Sequence, residues 1–211
     1  MALRPAPLAL ALTALLLAAP GGLTPLHAQE APPTPRVAAS GRVVTHVTFD
    51  GRLIGTRWFV QSTSHSGPAR LAVDYGQPHA RGRTIFGELV PYGEVWRLGA
   101  NMATHLVTDV NLYLGELEIP RGTYTLYMIP RPEGGELIVN RQTGQWGTDY
   151  DPSKDWGRVP LRRRALPETA ENFTITLAPV FPQPQGEHPS GALTISWGEA
   201  EYSTDWRVSW P

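Results

Sequence analysis

From Arg42 onward the chain is written in short runs where apolar and polar positions trade places every second residue. Leu71, Val73 and Tyr75 share one face of such a run, as do Leu106, Thr108, Val110, Leu112 and Leu114, then Tyr124, Leu126 and Met128. The pattern returns with Phe173, Ile175 and Leu177, with Leu193, Ile195 and Trp197, and with Trp206, Val208 and Trp210. A period of two puts alternate side chains on one face of a strand, so each run predicts a strand with one buried side. Further strands are predicted over 42–48, 52–60 and 136–140, and Asp50-Gly51 between the first two predicts a two-residue hairpin. No window of 12 or more residues carries a helical stripe; the most expected is one helical turn within Gly82–Leu89. Strands spaced about 8–12 residues apart with Gly/Pro turns between them predict an all-β, mostly antiparallel β-sandwich of jelly-roll type. A single domain over residues 41–211 would hold it.

Two stretches interrupt the alternation. Between Asp74 and Thr104 glycines and prolines recur at Gly76, Pro78, Gly82, Gly87, Pro91, Gly93 and Gly99. That punctuation predicts a succession of tight turns, held down by Ile85, Phe86, Leu89, Val90, Val95 and Trp96. Residues 178–191 are Pro-rich and predict a surface loop. Ahead of the domain, residues 29–40 have no apolar period and predict a disordered or extended lead-in. Residues 1–28 have the layout of a secretory signal: Arg4, an apolar run from Leu8 to Ala19, a break at Pro20-Gly21-Gly22, and Leu26-His27-Ala28 before the expected cut at Gln29. The apolar run is short of the roughly 20 residues of a membrane helix. The expectation is export to the periplasm or beyond, with no membrane span left after cleavage.

Composition removes several chemistries. There is no cysteine among the 211 residues, which rules out thiol catalysis, thiolate metal sites and disulfides. The net charge is −1, so nothing in the electrostatics invites nucleic acid. Arg162-Arg163-Arg164 is too short for a polybasic tract and is expected to be a solvated turn. Lys154 is the only lysine.

Catalytic templates are missing as well. There is no G-x-S-x-G elbow, no phosphate-cradling glycine loop and no H-E-x-x-H. Ser62, Ser64, His65 and Ser66 bring nucleophile and base types together, but neighbours on a strand face opposite ways, so an exposed turn is expected there. His79, His105, Asp74, Asp109 and Glu94 could supply oxygen and imidazole to a metal, yet their spacing matches no known site, and neither metal nor cofactor is expected. Asn172-Phe173-Thr174 matches a glycosylation sequon inside a predicted strand. The richest constellation is polar and aromatic. Arg81, Arg83, Glu94, Arg97 and Asn101 lie among Tyr92 and Trp96, and the mixture recurs from Gln145 to Trp156, with Trp146, Lys154 and Asp155. Arg forks bind carboxylate or phosphate, and Trp and Tyr faces stack on rings. The same residues could equally clamp the loop from within.

Those motifs resemble a known family, the exported bacterial proteins called domain of unknown function 2911. The likeness runs through Asp74-Tyr75, Gly82-Arg83, Ile85-Phe86-Gly87, Leu89-Val90-Pro91-Tyr92-Gly93, Val95-Trp96-Arg97 and Gly99-Ala100-Asn101. It continues through Gly122-Thr123-Tyr124, Gln145-Trp146-Gly147, Lys154-Asp155 and Trp197-Gly198, covering about residues 69–198. Gly76-Gln77, Arg81, Leu98 and Met102 depart from its pattern. The resemblance implies export and one compact domain, and carries no accepted activity.

The expected function is a non-enzymatic binding or envelope-associated module for a small polar, anionic or sugar-like ligand. Arg83, Arg97, Asn101 and Lys154 would supply polar contacts, and Tyr92, Trp96 and Trp146 the walls, between the 76–104 and 145–156 loops. One alternative is a glycosidase-like hydrolase using Glu94 with Asp155 or Asp149, whose carboxyls should then converge within about 5–10 Å. The other is a purely structural domain, in which Arg97 and Asn101 would be fully paired inside the fold.

Overall fold

The structure, a computed structural model, describes residues 38–49, 52–54, 57–59, 69–183, 185 and 187–209, with backbone only for 52–54 and 57–59. By its contacts the chain divides into Met1–Arg36 and Val37–Pro211, and all described residues belong to the second unit. The predicted signal peptide and the Ser62–Ser66 cluster lie outside them.

The alternation does build strands, and almost nothing else. They are β1 (Gly41–Thr48), β2 (Arg52–Ile54), β3 (Arg57–Phe59), β4 (Arg70–Gln77), β5 (Thr104–Thr108), β6 (Leu112–Leu114) and β7 (Leu117–Ile119). β8 (Gly122–Arg131), β9 (Gly134–Asn140), β10 (Asp155–Pro179) and β11 (Ser190–Val208) complete the set, with one 3-10 turn at Pro152–Lys154. Nine strands form a continuous antiparallel sheet in the order β1-β4-β5-β8-β9-β10-β11-β6-β7, and β2 and β3 pair with each other.

The sheet makes a sandwich by folding over on itself. Phe49, just beyond β1 at one edge, meets Trp206 of β11 at 6.3 Å between ring centroids, and Tyr75 of β4 meets Phe173 of β10 at 5.4 Å. The Tyr75 hydroxyl also accepts the Ile175 N–H at 3.2 Å. One main core results, drawn from both layers and centred on Val73, Leu106, Leu126, Val139, Phe173, Ile195 and Trp206. Burying a Val, Leu, Ile, Phe or Met side chain in such a core contributes about 1.5–3 kcal/mol.

Four expectations change. The alternating run 106–114 is two strands in different parts of the sheet: β5 pairs with β4 and β8, whereas β6 pairs with β11 and β7. Between them the Thr108 hydroxyl donates to the Val110 carbonyl at 2.6 Å, and the Asp109 N–H bonds to the Arg70 carbonyl, turning the chain without breaking its alternation. β1 pairs with β4, and no pairing of β1 with β2 occurs among the described residues; the Asp50-Gly51 turn lies outside them. Arg162-Arg163-Arg164 is strand rather than turn, with Arg162 forked on Asp205 and the Arg164 Nε bonded to Glu201. Residues 82–89 hold no helical turn; the N–H groups of Leu89 and Val90 reach five residues back, to the carbonyls of Thr84 and Ile85.

Candidate functional site

The segment leaving β4 is pinned at every stage. The Phe173 N–H donates to the Pro78 carbonyl at 2.9 Å and the Ala80 N–H to the Glu171 carbonyl at 2.7 Å, so the loop begins as a neighbour of β10. Ile85 is then buried against Gly198, where a Cβ would lie 2.8 Å from its side chain. Trp96 exchanges both backbone hydrogen bonds with Met128 and stacks on Trp197, centroids 5.7 Å apart and planes at 16°. Phe86 and Phe173 meet the Trp96 ring edge-on at 6.0 and 5.2 Å. Such ring pairs add about 0.5–1.5 kcal/mol each beyond area burial. Finally Ala100 closes on β4. Its N–H reaches the Gly76 carbonyl at 3.2 Å, and its own carbonyl passes 2.0 Å from where a Cβ on Gly76 would sit, a contact only glycine permits.

The described residues with positive φ other than glycine are Arg81 (54°), Leu98 (51°) and Asn101 (62°), and all three fall in this loop. Left-handed backbone costs a non-glycine residue roughly 1–2 kcal/mol, so packing must hold these conformations in place. Two of the three project into one cleft.

That cleft, of about 350 Å³, is lined by Arg81, Arg83, Arg97, Asn101, His79, Trp96 and Trp197, with Ala39 and Ser40 closing one side. No Asp or Glu among the described residues lines it. The three arginines and Asn101 are each oriented by a backbone carbonyl. Arg83 donates Nε to Ala80 at 2.9 Å and Nη2 to His79 at 2.7 Å, and Arg97 donates Nε to Gly99 at 3.2 Å. Arg81 donates Nη2 to Ala39 at 3.3 Å and Asn101 donates Nδ2 to Ser40 at 3.3 Å. The three guanidinium groups keep their remaining N–H donors, and none forms an ion pair among the described residues. Elsewhere Arg42, Arg131, Arg158, Arg162 and Arg164 are all paired with carboxylates. Three permanent positive charges around one concavity raise its potential for anions. Trp197, 2% exposed, also lines the cleft, and its buried indole Nε1 has no acceptor. An indole N–H can only donate, so an acceptor has to come from elsewhere.

Tyr92 lines a second, adjoining cleft of about 260 Å³ that shares Arg83 with the first and adds Arg163, Glu171 and Glu199. Beneath Arg163, Tyr202 is buried, and burial pushes its hydroxyl up to about 12.

The other predicted residues lie apart. The 145–156 loop lines neither cleft. It is hydrogen-bonded along the outside of the 76–104 loop, Gly147 N–H to the Asn101 carbonyl at 3.0 Å and Ala103 N–H to the Gln145 carbonyl at 3.2 Å. Trp146 is 47% exposed beside that brace, and Lys154 stands 3.7 Å from Asp151. The two loops therefore support one another without enclosing a pocket. Asp155 accepts from Asn140 at 2.9 Å, from Tyr150 at 2.8 Å and from Arg158 at 3.4 Å. Burial, and then the bond to Asp155, hold the Tyr150 hydroxyl above its ordinary range. Asp149 bonds through its backbone, its carbonyl accepting from the Tyr127 hydroxyl and its N–H donating to the Trp146 carbonyl. Glu94 is exposed next to Gly93, which is tied to Pro130, whereas Asp155 sits by Asn140 across from Thr125. Those anchor points are separated by about 15 Å of β8, beyond a glycosidase pair. Among the metal candidates, His79 bonds Asn172, Asp109 takes the Arg70 N–H and Asp74 pairs with Arg42. No group of three His, Asp or Glu converges among the described residues. Sequence reasoning missed Trp197 as a donor, since it read as an ordinary inward residue of a strand.

Fold and cleft together define an all-β domain whose long ordered loop presents guanidinium groups without carboxylate partners among the described residues. The chain belongs to the family Protein of unknown function (DUF2911), whose model matches residues 60–205. No curated protein and no solved structure matches it.

Proposed function

We propose that this protein is a non-enzymatic binding module, exported from the cell, that holds a small anion in the cleft of the 78–101 loop. The observation carrying the proposal is the set of three guanidinium groups, each aimed by a backbone carbonyl and none neutralised by a carboxylate. A planar or tetrahedral oxyanion would take their remaining donors as charge-assisted bonds, the strong kind. The Asn101 amide would add contacts, the Trp197 N–H would gain an acceptor, and Trp96 would wall the site. Lys154 and Trp146 have no part in it. The backbone strain at Arg81 and Asn101 fits a geometry set before the ligand arrives, which lowers the entropic cost of binding.

A thermal-shift screen with inorganic phosphate, glutarate and a neutral sugar tests this. Ligand at a hundred times its Kd adds about 2.7 kcal/mol to unfolding, so an anion should raise Tm and the sugar should not. Loss of the shift in Arg97→Met, with the fold intact, assigns it to the cleft. Equal shifts for sugar and anions, or an unchanged shift in Arg97→Met, would sink the proposal.

A further inference from the structure

The two clefts share Arg83 and differ in charge: the first has only cations, whereas the second sets Arg83 and Arg163 against Glu171 and Glu199. Its unused groups are of both kinds. Arg163 leans over Tyr202, 5.9 Å from the ring centre, and its buried Nε has no acceptor. Glu199 makes no side-chain hydrogen bond or ion pair among the described residues, and Glu171 uses one oxygen, Oε1, on the Arg81 N–H at 2.9 Å. One orphaned donor and open carboxylate acceptors stand beside a site for an anion. A guanidinium with N–H donors to spare favours a ligand that brings an acceptor to it.

We propose that the ligand is an N-acylated amino acid, free or as the last residue of a peptide, with its carboxylate among Arg81, Arg83 and Arg97 and its amide in the adjoining cleft. This rests on the anion-site reading above. The amide is the group that answers both kinds of unused group: its C=O accepts from the Arg163 guanidinium, and its N–H donates to Glu199. A free ammonium would satisfy Glu199 but would face Arg163, and a second carboxylate would face Glu199 and Glu171. The carboxylate and amide of one amino acid are separated by a single carbon, which suits two clefts joined at a shared arginine.

The test is titration of the whole protein with N-acetylglycine, with 4-oxopentanoate (the same molecule with CH2 in place of N–H), with glycine and with inorganic phosphate. N-acetylglycine should bind at least tenfold more tightly than 4-oxopentanoate, and Glu199→Ala should close that gap while leaving 4-oxopentanoate unchanged. Arg163→Met should weaken both, because both offer the carbonyl. Lengthening the probe to acetyl-Ala-Ala-Gly identifies the source: tighter binding assigns a peptide terminus, equal binding a free acylated amino acid. Equal affinity for N-acetylglycine and 4-oxopentanoate overturns the amide and leaves the anion site standing. So does tighter binding of glycine, or binding of phosphate alone. If no anion binds, the inference falls together with the reading it extends.

Discussion

The loops 78–101 and 145–158 are similar in composition and opposite in bonding. In the second, Asp155 gathers Asn140, Tyr150 and Arg158, Glu136 takes Arg131 and Arg158, and Tyr150 packs on Tyr127 at 4.8 Å. Its principal charges are met by opposite charges, and the loop covers a small apolar cluster of Tyr127, Ile129 and Ile138 on the sheet's outer face. In the first, the arginines touch only backbone carbonyls and leave donors over. A charged group serves the fold when its partner is another side chain. It is available to a ligand when the fold fixes its position without neutralising it.

The largest effect should come from removing the seam that makes the first loop rigid. Gly76→Ala drives a Cβ into the Ala100 carbonyl, and a stability loss of about 3 kcal/mol or more, together with loss of anion binding, is expected from urea unfolding and titration. Next, Asp155→Ala strands Asn140 and Tyr150 in the second loop and should cost about 2–3 kcal/mol on the same unfolding curve. Affinity for anion, measured at a temperature where the variant is folded, should stay within about twofold of wild type. Arg97→Met should do the reverse: its stem still packs beneath Gly147, so stability should change by no more than about 1 kcal/mol while affinity falls about tenfold or more. If Arg97→Met destabilises as much as Asp155→Ala, the distinction between the loops fails.

The smallest effect is a pH dependence where the loops touch. Burial and then the charge of Arg42 hold His105 below its ordinary 6.5, with Asp74 opposing, and its Nε2 accepts the Gly144 N–H at 3.2 Å. The folded state favours the neutral ring, so its contribution is present above about pH 6.5 and is lost as pH falls below that value. Unfolding at pH 7.5 and 5.5 should show lower stability at 5.5, and His105→Gln should shrink the difference.

Much of the fold was legible because half-buried strands carry a period of two. The parts that were not lack that cause. β10 between Arg162 and Asn172 is mostly exposed and shows no apolar alternation; pairing with β11, through register shifts between Ala165 and Thr174, makes it strand, and backbone ladders leave no mark on composition. The run 106–114 reads as one strand because alternation continues while the chain changes neighbours. At the site, Arg83, Arg97, Asn101 and Trp96 were legible from turn punctuation around polar and aromatic residues, and one cleft holds them. Lys154, Trp146, Glu94 and Asp155 looked equally chemical. Lys154 and Asp155 are met by partners of their own loop and Glu94 and Trp146 stand outside the cleft, and both are properties of space rather than of the chain.

The most direct measurement is NMR of the arginine Nε–H groups during titration with N-acetylglycine or phosphate. Saturable shifts confined to Arg81, Arg83 and Arg97 are predicted with phosphate, joined by Arg163 with N-acetylglycine, while Arg158 and Arg162 stay unmoved. Cleft signals that stay put, or all arginines drifting together with ionic strength, would contradict the account.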